Sequence, residues 1–282
     1  MDSFHLEYFG SLGREGITTL GERGFKVEDD DPVTSITDIV LTHRHPDHIG
    51  GLKSILAVFS AKGLQLPKVY KWRHPLETQA NGENVDWDQL LINDAWPIST
   101  RATALTWLED GHQIPLQQGS GSSGTTLSIV HTPGHTEDSI SLLIEETREL
   151  FTADTILGQG TSVFADLSAY FGGGADMASL QKVLELRPTV LYGGHGPHVG
   201  DQRSSVAKIE EYINHRNERE RQILAVLEER TSFTPREIVE VLYAGLGIGV
   251  YIAAEKPVVA HLKKLENDGK VARTADGKWR LL

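Results

Sequence analysis

Apolar residues along this chain follow two different periods, and together they predict a mixed α/β fold. Residues 38–41 form a short apolar run typical of a strand, and the apolar positions that follow recur at helical spacing over residues 48–62. A second helical pattern covers residues 176–186 and stops before Pro188. Further strand-like segments, bounded by turn-forming residues, lie at residues 67–72, 113–116, 125–131, 139–144, 149–152 and 190–192.

The last part of the chain is mainly helical and predicts a separate small module. A long helix is followed by Thr234 and Glu237, which are spaced as a capping box at the start of the next helix. Another helix is expected at residues 257–268, and Asp276-Gly277 predicts a hairpin after it. This order of elements is typical of a winged-helix-like α+β module. The chain therefore divides into an uncertain lead-in (1–35), a main domain (36–203) and this C-terminal module (204–282).

Two regions lack a clear period. Residues 1–35 are interrupted by five glycines, so we expect a poorly ordered lead-in. Residues 73–104 are polar and irregular, with a turn signal at Asn81-Gly82, and they either shape a substrate pocket or form a plain surface excursion. The Gly- and Ser-rich residues 119–124 predict a flexible tip between two strands.

The composition excludes several kinds of chemistry. The 282 residues contain no cysteine, which rules out disulfides, thiolate metal sites and a cysteine nucleophile. The net charge of −12 lies on the first 203 residues, because the remainder carries 13 basic and 12 acidic side chains. Such an acidic body disfavours non-specific binding to phosphate backbones. With no secretory signal and no apolar run near the ~20 residues of a membrane span, we expect a cytoplasmic enzyme.

The densest group of candidate functional residues lies between the first strand and the first helix. His43, His45, Asp47 and His48 place three imidazoles and one carboxylate within six residues. Zinc and related divalent cations accept both kinds of ligand. His43 and His45 can chelate one ion, whereas Asp47 and His48 can reach a second ion nearby.

Three further candidates follow apolar strands and sit in turns that contain Gly or Pro: His135, Asp154 and His195. Singly, each is more often a structural residue than a ligand. Together with the first four they make seven ligands, enough for two ions that share one carboxylate.

The order of these motifs resembles the metallo-β-lactamase superfamily. The motifs are His-x-His-x-Asp-His at 43–48, Thr-Pro-Gly-His-Thr at 132–136, Asp154 at a strand end, and Gly-Gly-His-Gly-Pro at 193–197. The resemblance implies an α/β fold of the αββα sandwich type, with a dinuclear metal site at one edge, over residues 36–203. It also implies a ligand set, namely His43, His45 and His135 for the first ion, Asp47, His48 and His195 for the second, and Asp154 as the bridge.

Residues 156–164 and 212–220 resemble a narrower group, that of β-lactamase-like protein 2. That group includes animal mitochondrial endoribonucleases and fungal thioesterases that release polyketides from acyl-carrier protein. Its members usually begin with a hairpin of a Thr-Asn-Thr-Tyr-Leu-like strand and a Leu-Ile-Asp-Thr-Gly-like strand. Neither strand is found in residues 1–35, so we expect the N-terminal hairpin to be missing. An inactive truncated variant is therefore one alternative.

The resemblance implies a metal-dependent hydrolase with two Zn²⁺, or Mn²⁺ or Fe, as cofactors. The preferred substrate is a thioester, such as a polyketide acyl chain on acyl-carrier protein in secondary-metabolite biosynthesis, because a thiolate with a pKa of about 8.5 leaves with little protonation. Single-stranded RNA is the alternative substrate, and its cleavage would benefit from a proton donor. Asp47 is the expected catalytic residue, and His198 is a candidate substrate contact or proton donor.

Overall fold

Two five-stranded sheets face each other in the computed structural model, which describes residues 7–10, 17–19, 36–78, 84–116, 124–162, 175–245 and 248–282. In chain order, the first seven strands are β1 (Glu7–Gly10), β2 (Ile17–Thr19), β3 (Ile36–Leu41), β4 (Lys68–Trp72), β5 (Glu77–Thr78), β6 (Asn84–Val85) and β7 (Thr106–Leu108). The first sheet has the order β2-β1-β3-β4-β7, in which β3, β4 and β7 run parallel. Strands β5 and β6 pair only with each other.

The second sheet is mostly antiparallel and forms from consecutive strands. These are β8 (Gln113–Leu116), β9 (Thr125–His131), β10 (Ile140–Ile144), β11 (Glu149–Ala153) and β12 (Val190–Gly193). Their order is β12-β11-β10-β9-β8, and the pair β11–β12 is parallel.

Some of the helices pack on the outer face of each sheet, and others build the C-terminal module. The helices are α1 (Pro46–Ile49), α2 (Leu52–Ala61), α3 (Trp87–Ala95), α4 (Ala175–Leu186), α5 (Gln202–Glu228), α6 (Pro235–Leu242) and α7 (Ile248–Asn267). No helix among the described residues is long and apolar enough to cross a membrane.

Alternating side chains explain the layers. In β3, Ile39 packs with the residues of α2 and α3, whereas the next residue, Val40, packs into the core between the sheets. In β10, Leu142 faces the same inner core, and Leu143 packs outward against Leu180 of α4. This two-residue period buries both faces of each central strand, and each buried aliphatic side chain contributes about 1.5–3 kcal/mol. The result is the predicted αββα sandwich.

The expectation of a missing N-terminal hairpin is wrong. Strands β1 and β2 pair antiparallel, and β1 continues the first sheet by pairing with β3. The two strands are only four and three residues long, so they carry too few positions to show a period of two. Their sequences, Glu-Tyr-Phe-Gly and Ile-Thr-Thr, also differ from the expected strand motifs.

The polar region at 73–104 is more regular than its composition indicates. Helix α3 begins after Asp86, whose carboxylate accepts a hydrogen bond from the backbone of Gln89. Trp96 is buried in the core beside α2, so part of the region belongs to the main fold. The predicted turn at Asn81-Gly82 and most of the predicted tip at 119–124 lie outside the described residues.

The C-terminal module contains α6, α7 and a hairpin of β13 (Val271–Arg273) and β14 (Trp279–Leu281). The capping box at Thr234 and Glu237 is confirmed. The predicted start of the next helix at Pro257 is wrong, because α7 begins at Ile248 and contains this proline in its interior. A proline within a long helix that is packed on its neighbours leaves the same local signal as a proline at a helix start.

Candidate metal centre

All seven predicted ligands lie at one edge of the sandwich, each on a segment that follows a strand. His43, His45, Asp47 and His48 follow β3, and His135, Asp154 and His195 follow β9, β11 and β12. The two sheets meet at this edge, where the backbone N–H of Ile140 donates to the carbonyl of Thr42 at 3.0 Å. Residues that are far apart in sequence therefore come within reach of one ion.

Three imidazoles form the first group. Nε2 of His43 lies 3.0 Å from Nδ1 of His45, and Nε2 of His135 lies 2.9 Å from the same nitrogen. His43 and His135 are buried, and His45 is half-buried. Three ring nitrogens that converge in this way form a nitrogen donor set for one cation.

The second group is Asp47, His48 and His195, and it reaches the surface. Oδ2 of Asp47 lies 3.3 Å from Nε2 of His195 and 3.5 Å from Nε2 of His48. The side chains of Asp47 and His195 are 31% and 35% exposed, whereas that of His48 is buried. This group therefore combines two imidazoles and a carboxylate at a position that solvent reaches.

Asp154 lies between the two groups. Its Oδ2 is 3.5 Å from Nε2 of His135 in the first group and 3.5 Å from Nε2 of His195 in the second. Its Oδ1 is 3.4 Å from Nε2 of His48. One carboxylate thus faces both groups, as a bridging ligand must.

The backbone around Asp154 is shaped to bring these groups together. Ala153 adopts a left-handed conformation with φ of 44°, which turns the chain directly before Asp154. Opposite it, a Cβ atom on Gly194 would come within 2.5 Å of Oδ1 of Asp154 and 2.9 Å of Cε1 of His48. A side chain at position 194 would therefore fill the space between the candidate ligands.

Electrostatics also suit a cation here. Burial lowers the pKa of His43 well below its usual 6.5, and the nearby His48, His135 and His45 lower it further, so its ring is neutral and keeps a lone pair. Burial acts to raise the pKa of Asp154, but the hydrogen bond and positive charge of His48, together with His135 and His195, bring it below its usual value. The neutral imidazole of His43 and the ionised carboxylate of Asp154 offer the nitrogen and oxygen donors that divalent metal ions bind.

A buried lysine, Lys71, takes part in a network that anchors the loop of His135 in the first group. Nζ of Lys71 lies 2.5 Å from Oδ2 of Asp138 and 2.8 Å from Oδ1 of Asp88, and all three side chains are buried. Oδ1 of Asp138 accepts a hydrogen bond from the hydroxyl of Thr136 at 2.8 Å. Thr136 is adjacent to His135, so the ion pair anchors the loop that carries this candidate ligand.

The same network of polar contacts extends to Arg44, which lies between the candidate ligands His43 and His45. The second carboxylate oxygen of Asp88 accepts from the backbone N–H of His74 at 2.8 Å. Nε2 of His74 accepts from Nε of Arg44 at 3.1 Å, and the Arg44 guanidinium lies 4.6 Å from the centre of the Trp87 ring. Sequence analysis missed this network. A lysine inside the parallel strand β4, where both faces are usually apolar, was the available signal.

His198 lies outside this cluster. It is exposed on the loop after His195, its ring centre is 5.9 Å from that of Tyr192, and it belongs to none of the three groups of candidate ligands in the described part of the chain. His131 is half-buried, and its ring stacks on that of Trp72 with the ring centres 3.7 Å apart.

Comparison with known proteins assigns most of the chain to two family models. Residues 19–195 match the model described as metallo-beta-lactamase superfamily. Residues 234–279 match the model described as beta-lactamase associated winged helix domain.

Individual relatives agree with these matches. A beta-lactamase-like protein 2 homolog of Caenorhabditis elegans is 36% identical over 233 residues, covering 83% of this chain and 66% of the relative. An atrochrysone carboxyl ACP thioesterase of Passalora fulva is 28% identical over 261 residues, covering 88% of this chain and 65% of the relative. The chain thus spans about two thirds of the length of these relatives.

A solved structure supports the fold. The crystal structure of a metallo-beta-lactamase family protein from Thermus thermophilus superposes with a TM-score of 0.62 at 22% sequence identity. The superposition covers 89% of this chain and 81% of that protein.

Proposed function

This chain belongs to the metallo-beta-lactamase superfamily, and on that premise we propose that it is a dinuclear metal-dependent hydrolase that cleaves an acyl thioester. His43, His45 and His135 would hold the first ion, Asp47, His48 and His195 would hold the second, and Asp154 would be shared between them. The observation that supports this assignment best is the convergence of these side chains at one sheet edge, with Asp154 3.5 Å from both His135 and His195. We propose two Zn²⁺, with Mn²⁺ or Fe as alternatives, because imidazole and carboxylate suit all three metals.

Divalent ions bound here would supply hydroxide at neutral pH and positive charge beside a developing oxyanion. The residues of the chain prepare that chemistry. Nε2 of the buried His43 lies 3.0 Å from Nδ1 of His45, and the lowered pKa of His43 leaves a lone pair on its ring in place of a second proton. Asp47 is the proposed catalytic residue, because its half-exposed carboxylate, 3.3 Å from His195, can orient an incoming water and accept its proton.

The preference for a thioester follows from the leaving group. A thiolate, with a pKa of about 8.5, departs with little protonation at neutral pH. Asp47 and His195 supply the exposed side chains of the described ligand groups, and both are already assigned as ligands. A substrate that needs no additional acid suits such a site. The thioesterase of Passalora fulva, which is named for acting on an ACP substrate, adds support for an acyl group on acyl-carrier protein.

Further parts of the proposal concern organisation and setting. We propose residues 36–203 as the main part of the hydrolase domain, 1–35 as a lead-in that adds β1 and β2 to its first sheet, and 204–282 as the C-terminal module. A polyketide acyl chain in secondary-metabolite biosynthesis is the proposed substrate, and the cytoplasm is the proposed compartment.

Cleavage of single-stranded RNA is the second candidate. The observation in its favour is the winged-helix match at residues 234–279, since such modules often bind nucleic acid, together with the exposed His198 as a proton donor for an alkoxide. The net charge of −12 disfavours it, although an acidic acyl-carrier protein would meet the same repulsion.

The test compares two substrates on one preparation. Zinc-loaded protein is assayed on an acyl thioester and on labelled single-stranded RNA, beside Asp47→Ala. Asp94→Ala is the matched control, since that carboxylate is exposed and pairs with Lys53 on the surface. We expect thioester turnover that Asp47→Ala abolishes and the control retains.

Three results would count against the proposal. Metal-dependent RNA cleavage without thioester turnover would favour the nuclease. Turnover that survives in Asp47→Ala would remove Asp47 from the catalytic role. Metal analysis that finds less than about a tenth of an ion per chain would favour the inactive variant, because a site of this kind binds zinc tightly.

A further inference from the structure

Ser162 is held by one face of α5, on both of its backbone polar groups. Its N–H donates to Oη of Tyr212 at 3.2 Å, and its carbonyl accepts from a terminal nitrogen of Arg216 at 3.0 Å. Tyr212 and Arg216 are four residues apart, so they lie on the same side of the helix. These residues belong to the two stretches, 156–164 and 212–220, that carry the narrower family resemblance, and the structure brings the stretches into contact.

The side chain of Ser162 faces a proposed ligand. Its hydroxyl lies 3.3 Å from Nδ1 of His135, and both side chains are buried. The other ring nitrogen of His135, Nε2, lies 2.9 Å from Nδ1 of His45 inside the first ligand group. A neutral imidazole carries one proton, so a lone pair on Nε2 requires the proton on Nδ1. The hydroxyl oxygen of Ser162 can then accept a hydrogen bond from this Nδ1–H group.

Arg216 also contacts Asp176, on which the His135 loop packs. Its Nε donates to Oδ2 of Asp176 at 3.0 Å, and both side chains are buried. Gly134 packs directly on Asp176, since a Cβ atom at position 134 would lie only 2.9 Å from the Cα of Asp176. Arg216 therefore contacts both Ser162, which faces His135, and Asp176, on which the neighbouring Gly134 packs.

The same face of α5 continues into the C-terminal module. Glu220, one turn after Arg216, is buried and accepts a hydrogen bond from Nζ of Lys264 on α7 at 2.7 Å. Its other carboxylate oxygen lies 3.7 Å from Nδ1 of His261, also on α7. Buried polar side chains on this face of α5 thus contact both the C-terminal module, through Glu220, and Ser162, through Arg216.

We propose that Ser162 is a positioning residue that fixes the tautomer and orientation of His135, and that Tyr212 and Arg216 of α5 hold Ser162 in place for this role. The inference rests on the proposed function, because it takes His135 as a metal ligand. It assigns to the helix that leads into the winged-helix module a direct part in building the metal site.

The test uses the full chain and two readouts. Co²⁺ is titrated into wild type and Ser162→Ala, and binding and the visible d–d absorption are recorded. We expect Ser162→Ala to bind the first ion about 10- to 100-fold more weakly, with an altered spectrum, as is usual when the supporting partner of a histidine ligand is removed. Ser162→Thr retains the hydroxyl and should restore both affinity and spectrum.

The second readout does not depend on metal. Long-range ¹H–¹⁵N NMR of ¹⁵N-histidine-labelled, metal-free protein reports which nitrogen of His135 carries the proton. We expect the Nδ1–H form in wild type and a mixture of tautomers in Ser162→Ala. Tyr212→Phe, which removes the hydroxyl that holds the Ser162 backbone but keeps the ring, should show a smaller shift in the same direction.

Ser128→Ala is the matched control, since Ser128 is a buried serine of β9 whose hydroxyl has no hydrogen-bond partner among the described residues. Wild-type affinity, spectrum and tautomer in Ser162→Ala would overturn the positioning role. Failure of wild type to bind Co²⁺ would instead count against the proposed function. In that case the tautomer measurement alone decides, and an Nδ1–H form that is equally populated in wild type and Ser162→Ala would overturn the inference.

Discussion

The two halves of the proposed metal site are built differently. His43 and His135 in the first half are buried, and the loop that carries His135 is held both by the Lys71 ion pairs, through Asp138 and Thr136, and by Ser162. In the second half, the side chains of Asp47 and His195 are about one third exposed. The difference indicates that the fold fixes the first half, whereas solvent reaches the second half, which is the proposed entry for water and substrate.

The largest expected effect comes from removing the ion pair behind the first half. Lys71→Met leaves Asp88 and Asp138 buried without their cation, and loss of one partner of a buried ion pair typically costs about 3–5 kcal/mol. We expect the free energy of unfolding in urea to fall by that amount. The exposed pair of Lys53 and Asp94 offers the control, because Lys53→Met should cost at most about 1 kcal/mol.

The double variant Lys71→Met with Asp138→Asn makes this prediction sharper. Asparagine removes one of the stranded negative charges, so the double variant should be more stable than Lys71→Met alone. Equal losses in Lys71→Met and Lys53→Met would mean that the buried network contributes no more than a surface pair. The proposed difference between a buried, well-supported first half and an open second half of the metal site would then be wrong.

The next largest effect should be a loss of metal affinity in both halves of the site. Asp154→Asn keeps the shape of the side chain but removes the charge that faces His135 and His195. We expect the affinity for both ions to fall by roughly 100-fold or more, since loss of a mere supporting partner already costs 10- to 100-fold. Zinc content after competition with a chelator measures the loss, with Asp94→Asn as the control. If only one ion is lost, Asp154 does not bridge.

The predictable part of the site is the part that depends on local pattern. His135, Asp154 and His195 each follow an apolar strand, and strand ends that share a sheet edge bring their turns together. The layers of the sandwich follow from the same strands by their two-residue period. These features could be obtained from the sequence because each is decided within about ten residues of chain.

The supports of the site could not be predicted in this way. Lys71 and Asp138 are 67 residues apart, and Ser162 and Arg216 are 54 apart, so no local pattern links them. The short strands β1 and β2 were missed because each is defined by strand pairing, β1 with β3 and β2 with β1, which depends on the backbone rather than on a side-chain period. Buried polar groups that are far apart in sequence become partners only when the whole fold has brought them together, so they are visible only in the structure.

A smaller and more selective effect is expected at the open half. Asp47→Asn removes the carboxylate beside His48 and His195 but leaves the three imidazoles of the first half unchanged. We therefore expect the second ion to bind roughly 10- to 100-fold more weakly while the first stays bound. Stepwise Co²⁺ titration separates the two ions. If Asp47→Asn weakens both ions equally, the halves do not act as separate sites.

The smallest expected effect is a dependence of metal-free stability on pH that arises in the buried half. The pKa of His43 is well below 6.5 in the folded protein because of burial and neighbouring histidines, whereas in the unfolded chain it returns to about 6.5. Below pH 6.5 the unfolded state therefore binds more protons, and the free energy of unfolding should fall as the pH drops towards the folded pKa. The slope from this residue is at most about 1.4 kcal/mol per pH unit, and above pH 6.5 it vanishes. Urea unfolding of the metal-free protein between pH 5.5 and 7.5 should show a shallower slope in His43→Gln than in wild type. His195→Gln should keep the contribution of His43, because it alters only the exposed half, and an unchanged slope in His43→Gln would contradict the prediction.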